Sequence, residues 1–397
     1  GTAVAASAIM RGQWLGADNT PGNYPAEDIG RIIDTNRSYI PYVLGSIKSG
    51  ADACTFEQLP YILAAAIRGI EKGATDGPGS GRVYHYDWPM TDADVKKTAT
   101  TISFTAATKT ISDSGNGLAF LRSGDLIRCT GAAQAGNRGI FSVVSAAAGA
   151  VVVNEVLVDG AAGPAITIEV LTQTYTAEGG NNLRVDRSAY SFPTSFELSG
   201  KGGSDMDAIM LSSTWTTQQW TEQVAGFTAG IALPAVDEAL FAGARLYIDD
   251  VSGAMGTTEM PDTLASFSYK ASTGLLHQFA GNGNLTYSKA QRKSRISISC
   301  SIQLYQNSAA LVEYANWQAQ KPRLLRIRID GPALATPGTT YSKKVIILNM
   351  PGMWMSFPSV EEIEGAEVLP GTFRVAYDPT ANLGPSITVV NELAALP

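Results

Sequence analysis

Cysteine, histidine and charge are all scarce in this chain of 397 residues. Cys54, Cys129 and Cys300 are odd in number, far apart and without CxxC spacing. That argues against a disulfide framework, fits synthesis in a reducing cytoplasm, and leaves three thiols to be read as buried. With only His85 and His277 there is little basis for a His-based triad or a multi-His metal site, so no metal and no cofactor are expected. Charged residues make up 16% of the chain and the net charge is -7, against the excess of Lys and Arg with which proteins grip phosphates. No apolar run approaches the ~18 residues of a membrane span, and Gly1 to Met10 lacks a basic n-region, so no membrane insertion is expected. The sequons at Asn36-Arg37-Ser38 and Asn284-Leu285-Thr286 then read as chance matches.

What is present is glycine, 40 residues of it, and a hydrophobic content of 45%. That combination points to a mainly β protein with a surface of Ser, Thr and Asn, and the length to two or three domains. The clearest local pattern runs from Arg295 to Asp330. Ile296, Ile298, Cys300, Ile302 and Leu304 share one parity; Arg295, Ser297, Ser299, Ser301 and Gln303 share the other, as in a half-buried strand with a wet face. Asn307 and Ser308 can cap a short helix with Leu311, Tyr314, Ala315 and Gln318 along one side, stopped by Pro322. Leu325, Ile327 and Ile329 then alternate with Arg326, Arg328 and Asp330.

Earlier in the chain, Thr55 to Gln58 has the form of a capping box before a helix over Tyr61 to Ile67, although Pro60 implies a later start. A strand is expected at Ile29 to Ile33, and another over Arg82 to Trp88 with Tyr84, Tyr86 and Trp88 on one face. Residues 97–171 change character: rich in Ala, Val, Thr and Gly, poor in aromatics, with short strands at ~8–12-residue spacing, they read as an inserted small β-sandwich or barrel. With that insertion removed, Tyr84 to Trp88 and Thr172 to Ala177 become neighbours across a hairpin turn. Both halves then read as a helix followed by four strands, which suggests an internal duplication: residues 1–96 with 172–235 as one unit and 236–397 as the second.

Chemistry is thin. The glycine runs Gly73 to Gly81 and Gly200 to Gly203 lack the order of a phosphate loop. Glu361, Glu362, Glu364 and Glu367 lack the spacing of a calcium loop and read as an exposed acidic loop. Lys289, Arg292 and Lys293, in a polar loop from His277 to Lys293, read as a solvated hairpin tip or as the contact for an acidic neighbour. No feature argues for an enzyme.

The segments LYIDD (Leu246 to Asp250), LASFSYKASTGL (Leu264 to Leu275), RISISCSIQL, RLLRIRIDG (Arg323 to Gly331), KKVIILNMPGMWMSF (Lys343 to Phe357), EEIEG, TFRVAYDP (Thr372 to Pro379) and ITVVNEL (Ile387 to Leu393) resemble the tail tube (major tail) proteins of long, non-contractile-tailed bacteriophages, the siphophages. The resemblance covers about residues 244–397. It implies two tail-tube-type β-sandwich or barrel units, each with a short flanking helix, and an outward-facing Ig-like insertion. Such subunits stack as rings around a channel for DNA, which passes without specific binding, and ring closure removes open sheet edges. Implied partners are further copies of the chain, as trimeric pseudo-hexameric or hexameric rings, a tail terminator, tail tip proteins and a tape measure protein in the lumen; the implied location is the virion, after assembly in the host cytoplasm. The resemblance also implies an acidic lumen past which DNA slides, and the sign of the net charge agrees with it. Arg295, Ser297, Ser299, Ser301 and Gln303 become the candidate lumen or subunit-interface strand. Lys289, Arg292, Lys293, Glu361, Glu362 and Glu364 become candidate inter-ring or interface loops. The alternatives are a carbohydrate- or receptor-binding β-protein of a virion or cell surface, with Trp and Tyr as stacking groups, and a secreted β-rich hydrolase using Glu361, Glu362 and Glu364.

Overall fold

Period-2 alternation becomes buried strand wherever it is strongest. In the strand Ser297–Tyr305, Ile298, Cys300, Ile302 and Leu304 are buried, while Ser297 and Ser301 are exposed and Ser299 and Gln303 half-buried. Each buried aliphatic side chain contributes roughly 1.5–3 kcal/mol, and a one-residue slip would exchange the two faces, so the register is strongly specified. The computed structural model describes residues 4–25, 37–70, 72–181, 183–203, 207–223 and 226–396. The strand expected at Ile29 to Ile33 lies outside the described residues. The protein is mainly β, with two α-helices among the described residues, α1 (Leu59–Ala66) and α2 (Ser308–Gln318).

Eight strands of the main antiparallel sheet lie side by side in the order Trp14–Asp18, Gly45–Ala53, Met210–Thr217, Val185–Lys201, Leu264–Ser272, Ser297–Tyr305, Ala366–Val375 and Lys343–Ser356. Lys343–Ser356 is 14 residues long and changes partner along its length. Its C-terminal part pairs with Ala366–Val375 (Met353 opposite Arg374), and its N-terminal part with Ser386–Asn391 (Val345 opposite Val390). Beyond Ser386–Asn391 come Arg82–Asp87 and Ala74–Thr75, and on its other edge Lys343–Ser356 pairs with Arg323–Ala333, which carries Ala244–Asp250. One strand thus passes from one layer to the other, and the main core fills the space between. Trp88, on the second layer, stacks on Phe196 of the first with ring centroids 6.1 Å apart and donates from its indole N–H to the Tyr269 hydroxyl at 3.2 Å.

Helix α1 sits inside this core with every residue but Tyr61 buried. Gln58 N–H donates to Thr55 Oγ1 at 3.2 Å, and Pro60 falls in the first turn, where a missing N–H leaves no acceptor unpaired. Tyr86 Oη donates to Pro60 O at 3.1 Å, so the aromatic face of Arg82–Asp87 positions the helix.

Helix α2 starts as its cap residue dictates, with Asn307 Oδ1 accepting from Ala310 N–H at 2.9 Å. Its buried side is not the expected one. Ala310 and Glu313 are buried, with Tyr314 and Trp317 packed on the core, whereas Ala315 and Gln318 are exposed and Leu311 is 49% exposed. The reason is Glu313, whose carboxylate accepts from Arg323 Nε (3.2 Å) and Nη2 (2.8 Å), Trp354 Nε1 (3.0 Å) and Asn316 Nδ2 (3.0 Å). A carboxylate with four donors can be buried, and it turns the helix about its axis.

Tyr84 to Trp88 and Thr172 to Ala177 are not hairpin neighbours. Arg82–Asp87 pairs with Ser386–Asn391, which sets Tyr84 opposite Val389 and Tyr86 opposite Ile387; Tyr175–Gly180 pairs with Val185–Lys201. The C-terminal strand matches the aromatic strand in apolar parity and replaces the local partner, a long-range pairing that local pattern does not encode.

Seven strands between Lys96 and Val170 form a separate sheet in the order Lys96–Ala99, Ile166–Val170, Leu126–Thr130, Gly139–Ala147, Ala150–Val153, Thr110–Asp113 and Ile102–Thr105. It encloses its own core, with Ile102, Ile111, Ile127, Val151 and Ile168 at 0–1% exposure. The module is bound closely to the main body. Arg68, just past α1, donates from Nε to Asp125 Oδ1 at 2.5 Å and from Nη2 to Phe120 O at 2.6 Å; Arg122 pairs with Asp87; Leu126 N–H donates to Gly69 O at 2.8 Å.

Several carboxylates hold loops closed and respond to acid together. Asp249 accepts from Gly256 N–H (2.6 Å), Thr258 N–H (2.8 Å) and Thr257 Oγ1 (2.7 Å), and Asp76 from Tyr341 N–H (2.7 Å) and Thr340 N–H (3.0 Å). Burial acts to raise these two, as it does Asp113 and Glu178, but the hydrogen bonds outweigh it and hold all four below their ordinary values. In the window between the folded and unfolded pKa values the unfolded chain binds more protons. Their contribution to stability is therefore complete above an unfolded pKa of about 4 and lost as pH falls through the lowered folded values. The urea midpoint is expected to drop markedly from pH 6 to pH 3; a flat profile would contradict this assignment.

Candidate functional site

The exposed face of the eight-strand sheet is a broad organised surface. Cross-strand register lines its side chains up in rows. Lys48, Thr214, Ser195, Ser272 and Ser297 form one; Ser212, Glu197, Lys270, Ser299 and Arg374 the next; Met210, Ser199, Ser268, Ser301 and Thr372 the third. Gln303 follows, opposite Ser266, to which Ser266 Oγ donates at 2.6 Å on the amide oxygen. Ser297, Ser299, Ser301 and Gln303 thus lie on one continuous hydroxyl-rich face. Arg295 lies outside it, exposed in the segment that leads into the strand.

This face is not acidic. It carries Lys48, Lys201, Lys270 and Arg374 against Glu197 and, beside Gln303 at its end, Glu361; Glu197 is held by Lys270 Nζ at 3.5 Å and by Ser268 Oγ at 2.6 Å. The net charge of -7 does not say on which face the carboxylates lie. The flanking cations were missed because each sits in a different strand. The signal available in the sequence was the parity of each: Glu197 with Ser195 and Ser199, Lys270 with Ser268 and Ser272.

The basic loop is also rebuilt. Leu275–Gln278 and Lys289–Arg292 form a two-stranded hairpin in which Leu275 is opposite Arg292 and Gln278 opposite Lys289. The cations are therefore spread along the hairpin, Lys289 at its loop end and Arg292 and Lys293 at its base. Lys289 and Lys293 are exposed, whereas Arg292 turns inward. Its guanidinium donates to Thr273 O (3.0 Å), Ala66 O (2.9 Å) and Ile67 O (3.3 Å), closing the carbonyl end of α1, and burial pushes its pKa down to about 10. Glu361 and Glu362 pair with Val368 and Glu367 across a tight hairpin; Glu364 is at its turn, with a φ of 51°. All three are exposed, and Glu361 Oε2 accepts from Gln303 Nε2 at 3.1 Å.

The remaining chemical groups are occupied structurally. His85 shares hydrogen bonds with Thr388 Oγ1 (2.7 Å) and Asp87 Oδ1 (3.0 Å). Asp87 lies below the usual carboxylate range: burial opposes this, and His85 and Arg122 outweigh it. Cys54, Cys129 and Cys300 are buried free thiols, and burial pushes Cys54 up to about 12 and Cys129 up to about 11. Trp88, Trp215 and Tyr269, whose strand parity points to the core or an interface and not to ligand stacking, are at most 5% exposed. Among the described residues no cluster of His, Cys, Asp and Glu is arranged to hold a metal, and no helix is long and apolar enough to cross a membrane.

The protein is defined by these features as a mainly β chain with a flat polar sheet face and a docked β-module. No protein-family model matches the sequence, and no curated protein does.

Proposed function

We propose that the chain is a structural subunit of a bacteriophage tail tube, in which the hydroxyl-rich face of the eight-strand sheet lines a channel that conducts DNA. The observation that carries this reading is a repeat in the order of the eight strands. In the first four, chain order 1, 2, 3, 4 (Trp14–Asp18, Gly45–Ala53, Val185–Lys201, Met210–Thr217) becomes sheet order 1-2-4-3. In the last four (Leu264–Ser272, Ser297–Tyr305, Lys343–Ser356, Ala366–Val375) it is again 1-2-4-3. In each set a helix follows the second strand, α1 in one and α2 in the other. Each set's closing strand crosses to the other: Ala244–Asp250 onto Arg323–Ala333, and Ser386–Asn391 onto Arg82–Asp87. In this reading the chain is two tube units fused through a shared sheet, with Ala244–Asp250 as the closing strand of the first.

Three such chains supply a ring of six units. Their 24 strands, at ~4.8 Å spacing and tilted by ~40°, enclose a circle on the order of 50 Å across between backbones, wider than a DNA duplex. Ring closure pairs the open backbone edge of Trp14–Asp18. A wall of serine and threonine offers no fixed charge over most of its area, and the few cations give weak, sequence-independent contacts that salt screens.

Electron microscopy of the concentrated protein tests the reading directly. Hollow tubes are expected; discrete particles without a channel at every concentration would overturn it. Within assembled tails, the double substitution Ser297→Arg and Ser299→Arg is expected to slow DNA ejection at low salt, with the difference closing at high salt. Unchanged ejection would mean that this strand lies off the channel.

A further inference from the structure

The strand Ser297–Tyr305 joins two ends of opposite charge. Its nine residues span about 30 Å at ~3.3 Å per residue. At its start, Ser297 pairs with Ser272, and the chain arrives through Lys293 and Arg295. These two cations, with Lys96 of the inserted module, line a cleft of about 770 Å³ where module, hairpin and main sheet meet. All three are exposed, and none has a carboxylate within ion-pair distance among the described residues, although Asp92 and Glu169 also line the cleft. At the other end, Tyr305 pairs with Val368, and Val368 with Glu361. The hairpin there, Glu361 to Glu367, exposes four carboxylates and contains no cation.

We propose that the acidic hairpin of one copy docks in the basic cleft of the next, so that copies stack head to tail along the direction of this strand. The two surfaces match in apolar character as well. Val360 at the foot of the acidic hairpin is 47% exposed, and the cleft presents Met90 at 47% and Tyr377 at 45%. The contact joins unlike patches at opposite ends, so it is heterologous and does not close on itself, which generates an open stack rather than a dimer. Salt weakens it, because the paired charges lie near water. The inference rests on the tube reading for its ring geometry, but not for the pairing of the two ends.

Charge reversal tests it on the full chain. Glu361→Lys, Glu362→Lys and Glu364→Lys together leave only Glu367 acidic in the hairpin and make both ends basic; Lys293→Glu with Arg295→Glu makes both acidic. Each variant alone is expected to need a protein concentration on the order of tenfold higher than the wild type to assemble, by sedimentation at low salt. An equimolar mixture of the two is expected to regain wild-type assembly as alternating stacks, and far-UV circular dichroism checks that each is folded. A variant that assembles like the wild type, a mixture that stays apart, or a wild-type chain that never self-associates overturns the proposal. Hollow tubes indifferent to all of these substitutions would remove the pairing and leave the tube reading standing. Salt-sensitive stacks without a channel would do the reverse.

Discussion

Replacing Glu313 by alanine is expected to lower the stability of the main body by about 3–5 kcal/mol, the usual consequence of removing one partner from a buried ion pair. Glu313 is 1% exposed and its partner Arg323 11% in their side chains, so water cannot take over the lost contacts. The alanine leaves the Arg323 guanidinium and the Trp354 indole N–H without their acceptor; the Asp250 carboxylate, 3.5 Å from Arg323 Nη1 and 58% exposed, is a poor substitute. Glu313→Gln keeps an acceptor but not the charge and is expected to fall between. Urea unfolding followed by tryptophan fluorescence gives the answer, since Trp354 is 1% exposed beside the site. An alanine variant with an unchanged midpoint would falsify this account of why α2 is turned as it is.

A comparable loss is expected for Arg68→Met, here at the joint between module and body. The Asp125 side chain is fully buried; burial pushes its pKa up, and Arg68 opposes that shift. Without Arg68 the carboxylate is stranded, at a cost again of about 3–5 kcal/mol, whereas Arg68→Met combined with Asp125→Leu is expected to recover most of it. The module contains neither Trp nor Tyr between Lys97 and Leu171, so tryptophan fluorescence reports the body and far-UV circular dichroism reports both. In Arg68→Met the two transitions are expected to separate, the module's share of the dichroism melting first. Coincident transitions at the wild-type midpoint would show that the pair does not hold the joint.

Charge, burial and position combine differently at each predicted site. Ser297, Ser299 and Ser301 were legible because alternation over nine residues has one physical solution, a strand with its apolar parity inward. Arg292 was not, because a guanidinium near other cations reads as surface until the carbonyls of Ala66 and Ile67 are brought beside it. Leu311 misled for a related reason. Helical periodicity counts apolar residues, and Glu313 carries its own donors from a neighbouring strand and from Trp354.

By itself, the sequence determined the class of structure, the strands with strong alternation, the Asn307 cap, the aromatic face of Tyr84, Tyr86 and Trp88, and the change of composition that marks the inserted module. Those are consequences of local geometry: a pleat of period two, an orphan N–H at a helix start, the reach of one side chain. Tertiary structure alone decided which strands are neighbours, that Ala244–Asp250 pairs with Arg323–Ala333 and Ser386–Asn391 with Arg82–Asp87, and where the cations of the sheet face lie. Strand pairing joins residues up to 309 positions apart, as with Asn391 and Arg82, and the energy that selects one partner over another comes from side chains on both strands at once. A polar surface is likewise a sum over strands, so its charge exists only after they have been placed side by side.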